Sequence, residues 1–115
     1  MKALSAESAR AKKDKAPRLS RAQRTAILKA LADPRRFELL ERIAKASCPI
    51  SCSQAHAALA ISPATLSHHI RELETSGLIQ VAREGKFHYL SIRPGVLDAL
   101  ASALQALSTS SYPSR

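Results

Sequence analysis

The 115-residue sequence predicts a mostly α-helical domain with one small β-hairpin near its carboxyl end. Hydrophobic residues make up 45% of the chain but aromatic residues only 3%, so the core must consist of Leu, Ile and Ala, which favours helices. Apolar residues recur at helical spacing in several segments, and Ser or Asp precedes most of them. One stretch, residues 78–92, contains two β-like runs around a glycine. A chain of this length holds one compact domain.

The chain is strongly basic. It carries 18 Lys and Arg against nine Asp and Glu, a net charge of +9. This excess predicts a polyanionic partner, either nucleic acid or an anionic membrane surface. No apolar run approaches the ~18 residues of a spanning helix, so we expect no segment that crosses a membrane. Of the two polyanions we expect nucleic acid, and no membrane, as the partner. Because no secretory signal is visible and two cysteines make no disulfide framework, we expect a cytoplasmic protein.

The charge is concentrated at the amino end, where residues 1–24 hold eight of the 18 cationic side chains. Residues 1–18 have almost no bulky apolar side chains, so we predict a flexible basic tail. This tail is either solvated without a role or an arm that attracts phosphates non-specifically. The folded domain is predicted at residues 19–108, with a frayed tail at residues 109–115.

Two amphipathic helices open the predicted domain. Ser20 can cap the stretch RAQRTAILKALA, and Asp33-Pro34 closes that helix and caps the next. The residues expected to form the apolar sides of these two helices are Ile27, Leu28, Leu31, Phe37, Leu40, Ile43 and Ala44.

Two further helices follow the proline of SCPIS. Ser51 or Ser53 can cap the stretch QAHAALA, and Ser62-Pro63 opens a fourth helix that runs as far as Gly77. Glycine at that place is a common helix stop. The runs LIQVAR and KFHYLSI then form a hairpin, and a last helix follows from Pro94.

Two short helices joined by a three-residue turn and followed by a hairpin predict a winged helix-turn-helix, whose fourth helix is the recognition helix. At ~100° per residue, Leu66, Ile70 and Leu73 share a narrow arc and must face the core. The other face is small, polar and basic, which suits contacts to base edges and phosphates in a major groove. The candidate DNA-binding residues on this helix and its cap are Ser62, Ala64, Thr65, Ser67, His68 and Arg71.

The two adjacent histidines are predicted to differ in role. His68 points outward and is a DNA contact or a merely solvated side chain. His69 lies beside the core arc, and we expect a half-buried residue that donates to backbone. Adjacent helix positions diverge by ~100°, so the pair is a poor metal chelate.

The hairpin tip carries Arg83 and Lys86 around Gly85. Two cations at a tip suit a phosphate backbone or a narrow minor groove, and a plain solvated turn is the alternative. In the second strand Phe87 and Tyr89 are expected to pack in the core, with His88 facing solvent.

The segments LADPRRFELLERI and ISPATLSHHIRELETSGLIQVAREGKFHYLSI resemble the ArsR/SmtB family of bacterial winged-helix repressors over roughly residues 22–95. Here isoleucine follows the second histidine, where the family has leucine. The resemblance implies a homodimer with four helices, two strands and a fifth helix, which represses its own operon and releases DNA when an inducer binds.

The last helix independently favours a dimer. Leu97, Leu100, Leu104 and Leu107 are spaced 3, 4 and 3 apart, as in the seam of two packed helices, although an amphipathic helix lying on its own core would look similar. The resemblance implies that this helix and the first helix, with Ile27 and Leu31, form the dimer interface.

The inducer does not follow from the resemblance. In arsenic-sensing members of that family the third helix starts with a motif similar to C-V-C-D-L, where this chain has Ser51-Cys52-Ser53-Gln54. Zinc-sensing members have a histidine-containing motif in the last helix, of which only Asp98 is present here. Cys48 and Cys52 remain as a candidate sensor of a soft ion or an oxidant. Two small apolar residues without a sensing role are the alternative.

We therefore expect a homodimeric, sequence-specific repressor that binds a palindromic operator in double-stranded DNA and needs no resident metal or cofactor. A non-specific basic nucleic-acid-binding domain is the alternative. The sequence shows no acid–base pair, activated nucleophile or phosphate-binding loop, so we do not expect an enzyme.

Overall fold

The computed structural model describes residues 18–109. The tails predicted at residues 1–18 and 109–115 lie outside the described residues, except for Arg18 and Thr109. Within the described range no helix is long and apolar enough to cross a bilayer.

Five helices and three strands are formed within residues 18–109. The helices are α1 (Arg21–Leu31), α2 (Pro34–Lys45), α3 (Cys52–Ala58), α4 (Pro63–Ser76) and α5 (Val96–Ser108). The strands are β1 (Ile50–Ser51), β2 (Ile79–Glu84) and β3 (Phe87–Ile92). Residues 21–93 make up one compact unit, and α5 belongs to another.

The caps predicted at Asp33, Ser51 and Gly77 are present. Asp33 accepts a hydrogen bond from the backbone N–H of Arg35 at 2.8 Å, with Pro34 at the first helical position of α2. Ser51 caps α3 in a reciprocal pair with Gln54, in which each side chain accepts from the other residue's backbone N–H. The helix α4 ends at Gly77, whose φ of +89° lies in the left-handed region that glycine adopts without strain.

The three strands form one antiparallel sheet in the order β1-β3-β2. The predicted hairpin is confirmed, with Glu84 opposite Phe87 across a two-residue turn. Gly85 takes a positive φ of 62° at the first turn position, as hairpin turns of this length often require. The strand β1, where the sequence predicted only a break, pairs Ile50 with Leu90 and adds a third strand.

The core of residues 21–93 consists of aliphatic side chains, as the composition predicts. Its fully buried members of largest volume are Ile27, Leu39, Leu73, Leu78, Ile79 and Leu90. Four residues predicted to face the core are exposed instead: Ala44, Leu28 at 48%, Phe37 at 47% and Phe87 at 52% of their surface. In α2 the inward arc contains Leu39 in place of Phe37, because Leu39, Leu40 and Ile43 lie within one helical turn on the same side.

The helix α5 is amphipathic. Val96, Ala99 and Leu100 are buried, whereas Leu104 and Leu107 expose 51% and 74% of their surface. It begins two residues later than predicted, because Gly95 stands at its N-cap with a φ of +87°.

Candidate nucleic-acid interface

One face of α4 is packed and the other is open. Leu66 and Leu73 are buried and Ile70 is half-buried, as the helical wheel predicts. All six candidate DNA-binding residues in and before this helix are exposed: Ser62, Ala64, Thr65, Ser67, His68 and Arg71. The structure therefore brings the predicted side chains together on one accessible surface, which we call the recognition face.

The amino end of the recognition face is held in shape by its cap. The Ser62 hydroxyl accepts from the Thr65 backbone N–H at 3.1 Å and donates to the Thr65 hydroxyl at 2.9 Å. The Ser62 hydroxyl hydrogen is used in the bond to Thr65, whereas the Thr65 hydroxyl hydrogen is not. Thr65 is therefore the better donor of the two toward an incoming acceptor.

The two histidines separate as expected, but the partner of His69 was predicted wrongly. His68 is exposed, while His69 is only 5% exposed. The His69 Nδ1 accepts a hydrogen bond from the Arg36 Nε at 3.2 Å, so the ring accepts from a side chain rather than donating to backbone. This contact joins the recognition helix to α2.

The histidine contact continues into the cap of α2. Arg36 also reaches Asp33, with 3.4 Å between Nη2 and Oδ2. Burial lowers the pKa of His69, and the charges of Arg36, His68 and Arg35 act in the same direction against the opposing effect of Asp33. The ring is therefore held neutral, which is the state that accepts from Arg36.

The Asp33 carboxylate is stabilised in turn. Burial alone would raise the pKa of Asp33, but the backbone N–H groups of Arg35 and Arg36, the His69 ring when it is protonated at acid pH, and the charge of Arg36 bring it below its ordinary value. Asp33, Arg36 and His69 thus form an anchor, the Asp33–Arg36–His69 chain, behind the recognition face.

The hairpin presents a cation at its tip. Lys86 is exposed in the turn, and its Nζ lies 6.0 Å from the centre of the Phe87 ring. Phe87 is exposed beside it, while Tyr89 is half-buried and His88 faces solvent as predicted. Within residues 18–109 no salt bridge involves Lys86.

Arg83 is not at the tip, although the sequence placed it there. It lies in β2 opposite His88, two positions before the turn. Its guanidinium donates to both carboxylate oxygens of Glu74 in α4, at 3.3 and 3.4 Å. Sequence reasoning missed Glu74, because the contact spans nine residues and two different elements.

Comparison with known proteins bears on what this surface does. A family model described as a helix-turn-helix domain matches residues 31–82. The chain is 31% identical over 85 residues to the arsenical resistance operon repressor of Staphylococcus aureus, covering 73% of this chain and 79% of that protein. The chain belongs to the ArsR/SmtB family of winged helix-turn-helix transcriptional regulators.

Solved structures agree with this membership. A crystal structure of an ArsR family transcriptional regulator superimposes with a TM-score of 0.70 at 25% identity, covering 81% of this chain and 94% of that one. A homodimeric winged helix-turn-helix DNA-binding domain from Mycobacterium bovis gives a TM-score of 0.61 at 25% identity, with 76% and 80% covered. The ArsR/SmtB chain is thus a DNA-binding repressor by family.

The candidate thiols of this ArsR/SmtB protein sit in different surroundings. Cys48 is exposed, and Cys52 is half-buried at the first position of α3. Burial raises the pKa of Cys52, and the Arg83 charge opposes this only in part. Burial thus disfavours the Cys52 thiolate, although the residue stands at the start of α3. No group of three His, Cys, Asp or Glu that could hold a metal occurs in the described residues.

The residues predicted for the ArsR/SmtB dimer interface differ in accessibility. Ile27 has 0% exposure and has no surface to give to a partner, so it is a core residue. Leu31 is half-buried, and Leu28 is the exposed apolar residue of α1. In α5, Leu100 is buried and Leu97 half-buried, which leaves Leu104 and Leu107 as the accessible part of the predicted seam.

Proposed function

We propose that this repressor is a homodimer that binds a palindromic operator sequence-specifically through α4 and is released by an inducer. The observation that carries the proposal is the recognition face: its residues are exposed while the opposite side of the same helix is fixed in the core.

The recognition face suits a major groove. Ala64 and Ser67 are small, so the backbone of α4 can approach base edges closely. His68 and Arg71 lie one turn apart and supply hydrogen-bond donors, and arginine pairs well with guanine O6 and N7. Ser62 and Thr65 lie at the positive end of the helix dipole, where a phosphate is favoured.

The wing adds contacts that do not depend on sequence. Lys86 stands at the tip of the hairpin, exposed and without an acidic partner in the part of the chain that the structure describes. A lysine in that position acts on phosphates as a point charge, and it strengthens binding to any duplex.

The exposed end of α5 supports the proposed dimer. Leu104 and Leu107 are exposed apolar side chains three residues apart on one side of that helix. A homodimer with a two-fold axis places its recognition helices on half-sites about one helical turn apart, ~34 Å. The two-fold symmetry of the dimer predicts a palindromic operator. The homodimeric relative from Mycobacterium bovis supports the arrangement.

For the inducer we propose a soft ion or an oxidant that acts on Cys48 and Cys52. The Staphylococcus relatives are arsenical resistance repressors, which supports a thiophilic ligand. The two thiols are the only cysteines in the chain, so they supply two soft ligands, and a third would come from solvent or from the second protomer. Because burial raises the pKa of Cys52, less thiolate is present at neutral pH, which slows the reaction of this thiol with a soft ion or an oxidant.

The thiol proposal is tested by comparing the operator affinity of the wild type with that of the Cys48→Ser, Cys52→Ser double variant. Each protein is measured reduced, oxidised and with As(III) or Zn(II). We expect release by at least one treatment in the wild type and none in the double variant. Equal affinity of the wild type in every state would show that the inducer does not act on these thiols.

Selection from a pool of random duplexes tests the main proposal. A cytoplasmic repressor that reads DNA through the recognition face should enrich one inverted repeat from this pool. The half-sites of that repeat should lie about 10 base pairs apart, centre to centre. A non-specific basic domain, which the net charge of +9 would also favour, should enrich no sequence.

A further inference from the structure

Arg83 is positioned by an acidic residue of the recognition helix. Its Nη1 and Nη2 donate to Oε2 and Oε1 of Glu74, at 3.4 and 3.3 Å, so the contact is two-pronged. Nη1 also lies 3.5 Å from the Val81 carbonyl oxygen. The fork that engages the carboxylate is the one that arginine uses for a phosphate, and these two amino groups cannot serve both partners in full at once.

Glu74 lies on a flank of α4, between the core side of that helix and its recognition face. It follows Ser67 by seven residues, and at ~100° per residue these two positions differ by only about 20° around the helix axis. Glu74 therefore lies on the same flank of α4 as Ser67 and nearer to the wing, the β2–β3 hairpin, where its carboxylate contacts Arg83. A phosphate approaching Arg83 meets a negative charge in direct contact with the guanidinium.

The pair does little for the stability of the fold. The Arg83 side chain is 55% exposed and the Glu74 side chain 34%. Exposed ion pairs of this kind contribute little to folding, because water and salt screen them and two long side chains must be ordered. The effect of Glu74 on the charge that the wing presents is the larger consequence of the contact.

We propose that Glu74 sets the DNA affinity of the wing: its carboxylate competes with DNA phosphate for Arg83 and so weakens binding to every sequence. The inference rests on the proposed DNA-binding function and deepens it. When the wing docks on a duplex, Arg83 must exchange Glu74 for a phosphate, and the carboxylate left behind regains a counterion. The gain from the Arg83 contact is thereby reduced, and base contacts by His68 and Arg71 contribute a larger share of the total binding free energy.

The experiment compares Glu74→Gln, Arg83→Ala, their double variant and the control Glu41→Gln. Glu41 is an exposed acid of α2, and its substitution makes the same change in net charge without touching Arg83. Affinity for a random-sequence duplex is measured over a range of salt concentrations. The salt needed to elute each protein from heparin, a polyanion that carries no base sequence, is measured in parallel.

We expect Glu74→Gln to bind the random duplex about two- to fivefold more tightly per protomer than Glu41→Gln, the range set by the strength of an exposed ion pair. Its slope of log affinity against log salt should be steeper by about 0.9, the value for one added phosphate contact. Elution from heparin should move to higher salt. Removing Arg83 should cost less than twofold in the wild type but should abolish the whole gain in the Glu74→Gln background.

Two results would overturn the inference: equal binding by Glu74→Gln and Glu41→Gln, or a gain that persists in the double variant without Arg83. Failure of the proposed function is distinguishable from both. A wild type that enriches no operator from random duplexes would refute sequence-specific repression, whereas the random-duplex and heparin comparisons would still decide the competition between Glu74 and phosphate.

Discussion

Replacing Arg36 with alanine removes the link between α2 and the recognition helix. Arg36 is a half-buried residue, with 13% of its side chain exposed, and its Nε donates to the His69 Nδ1 at 3.2 Å. His69 is itself 5% exposed, so water cannot readily replace the lost donor. Arg36→Ala therefore leaves a buried acceptor without its partner.

The magnitude follows from two contributions. A buried polar group left unsatisfied costs about 1–3 kcal/mol. Loss of the partly exposed ion pair with Asp33 adds at most about 1 kcal/mol. In a domain of this size each kcal/mol lowers Tm by about 4–8 °C. The neighbouring Arg35 is the matched control, because its side chain is exposed and its role in the cap of α2 uses only the backbone N–H.

The assay is urea unfolding of wild type, Arg36→Ala and Arg35→Ala at one protomer concentration, since the stability of a dimer depends on concentration. Arg35→Ala should change the free energy of unfolding by no more than about 0.5 kcal/mol, as exposed substitutions usually do. Arg36→Ala should lose several times that amount. If the two variants are equally stable, the Arg36–His69 contact does not hold α4 in place.

Three other outcomes are expected. Burial holds the pKa of His69 below its ordinary 6.5, so the unfolded chain binds this proton more tightly than the folded one. The contribution of neutral His69 to the free energy of unfolding is therefore fully present above pH 6.5 and falls as the pH drops. Tm should decline more between pH 7.5 and 5.5 in the wild type than in His69→Gln, and parallel declines would refute this. Lys86→Ala should flatten the salt dependence of DNA binding by about one unit per lost phosphate contact, and Arg83→Ala by less, whereas the reverse order would contradict the pairing of Arg83 with Glu74. Leu104→Glu with Leu107→Glu should give folded monomers in sedimentation, and an unchanged dimer would remove α5 from the interface.

The features that the sequence predicts well are local ones. Asp33-Pro34, Ser62-Pro63 and Gly77 each end or begin a helix through contacts within four residues, so their types and spacing suffice to identify them. The recognition face is equally local, because a helical wheel needs only one helix and one buried side.

Other features depend on contacts distant in the sequence. The strand β1 has two residues, too few for a periodic pattern, and it exists because β3 offers it a partner. The residue type of Phe87 predicts a core position, yet Phe87 is the first residue of β3, next to the turn, where it is exposed. Burial of a strand position depends on which elements cover the sheet, and the sequence pattern does not contain that information.

The same distinction applies to the site. The exposed residues of α4 follow from their own spacing, but the partner of His69 is 33 residues away and lies in another helix. The position of His69 beside the core side of α4 predicts that the ring is buried, but it does not predict which residue donates a hydrogen bond to it. The raised pKa of Cys52 likewise results from tertiary burial, which the charge pattern near a helix start does not reveal.

Sequence-specific binding requires contact between the recognition face and base edges, and methylation interference on the selected operator tests this contact most directly. Dimethyl sulfate modifies guanine N7 in the major groove, so a methyl group there blocks a side chain that reads that edge. We expect interference at guanines in both half-sites with the wild type, and loss of interference at particular guanines with His68→Ala and Arg71→Ala. Interference by phosphate ethylation alone, with no effect of guanine methylation, would contradict base reading by α4.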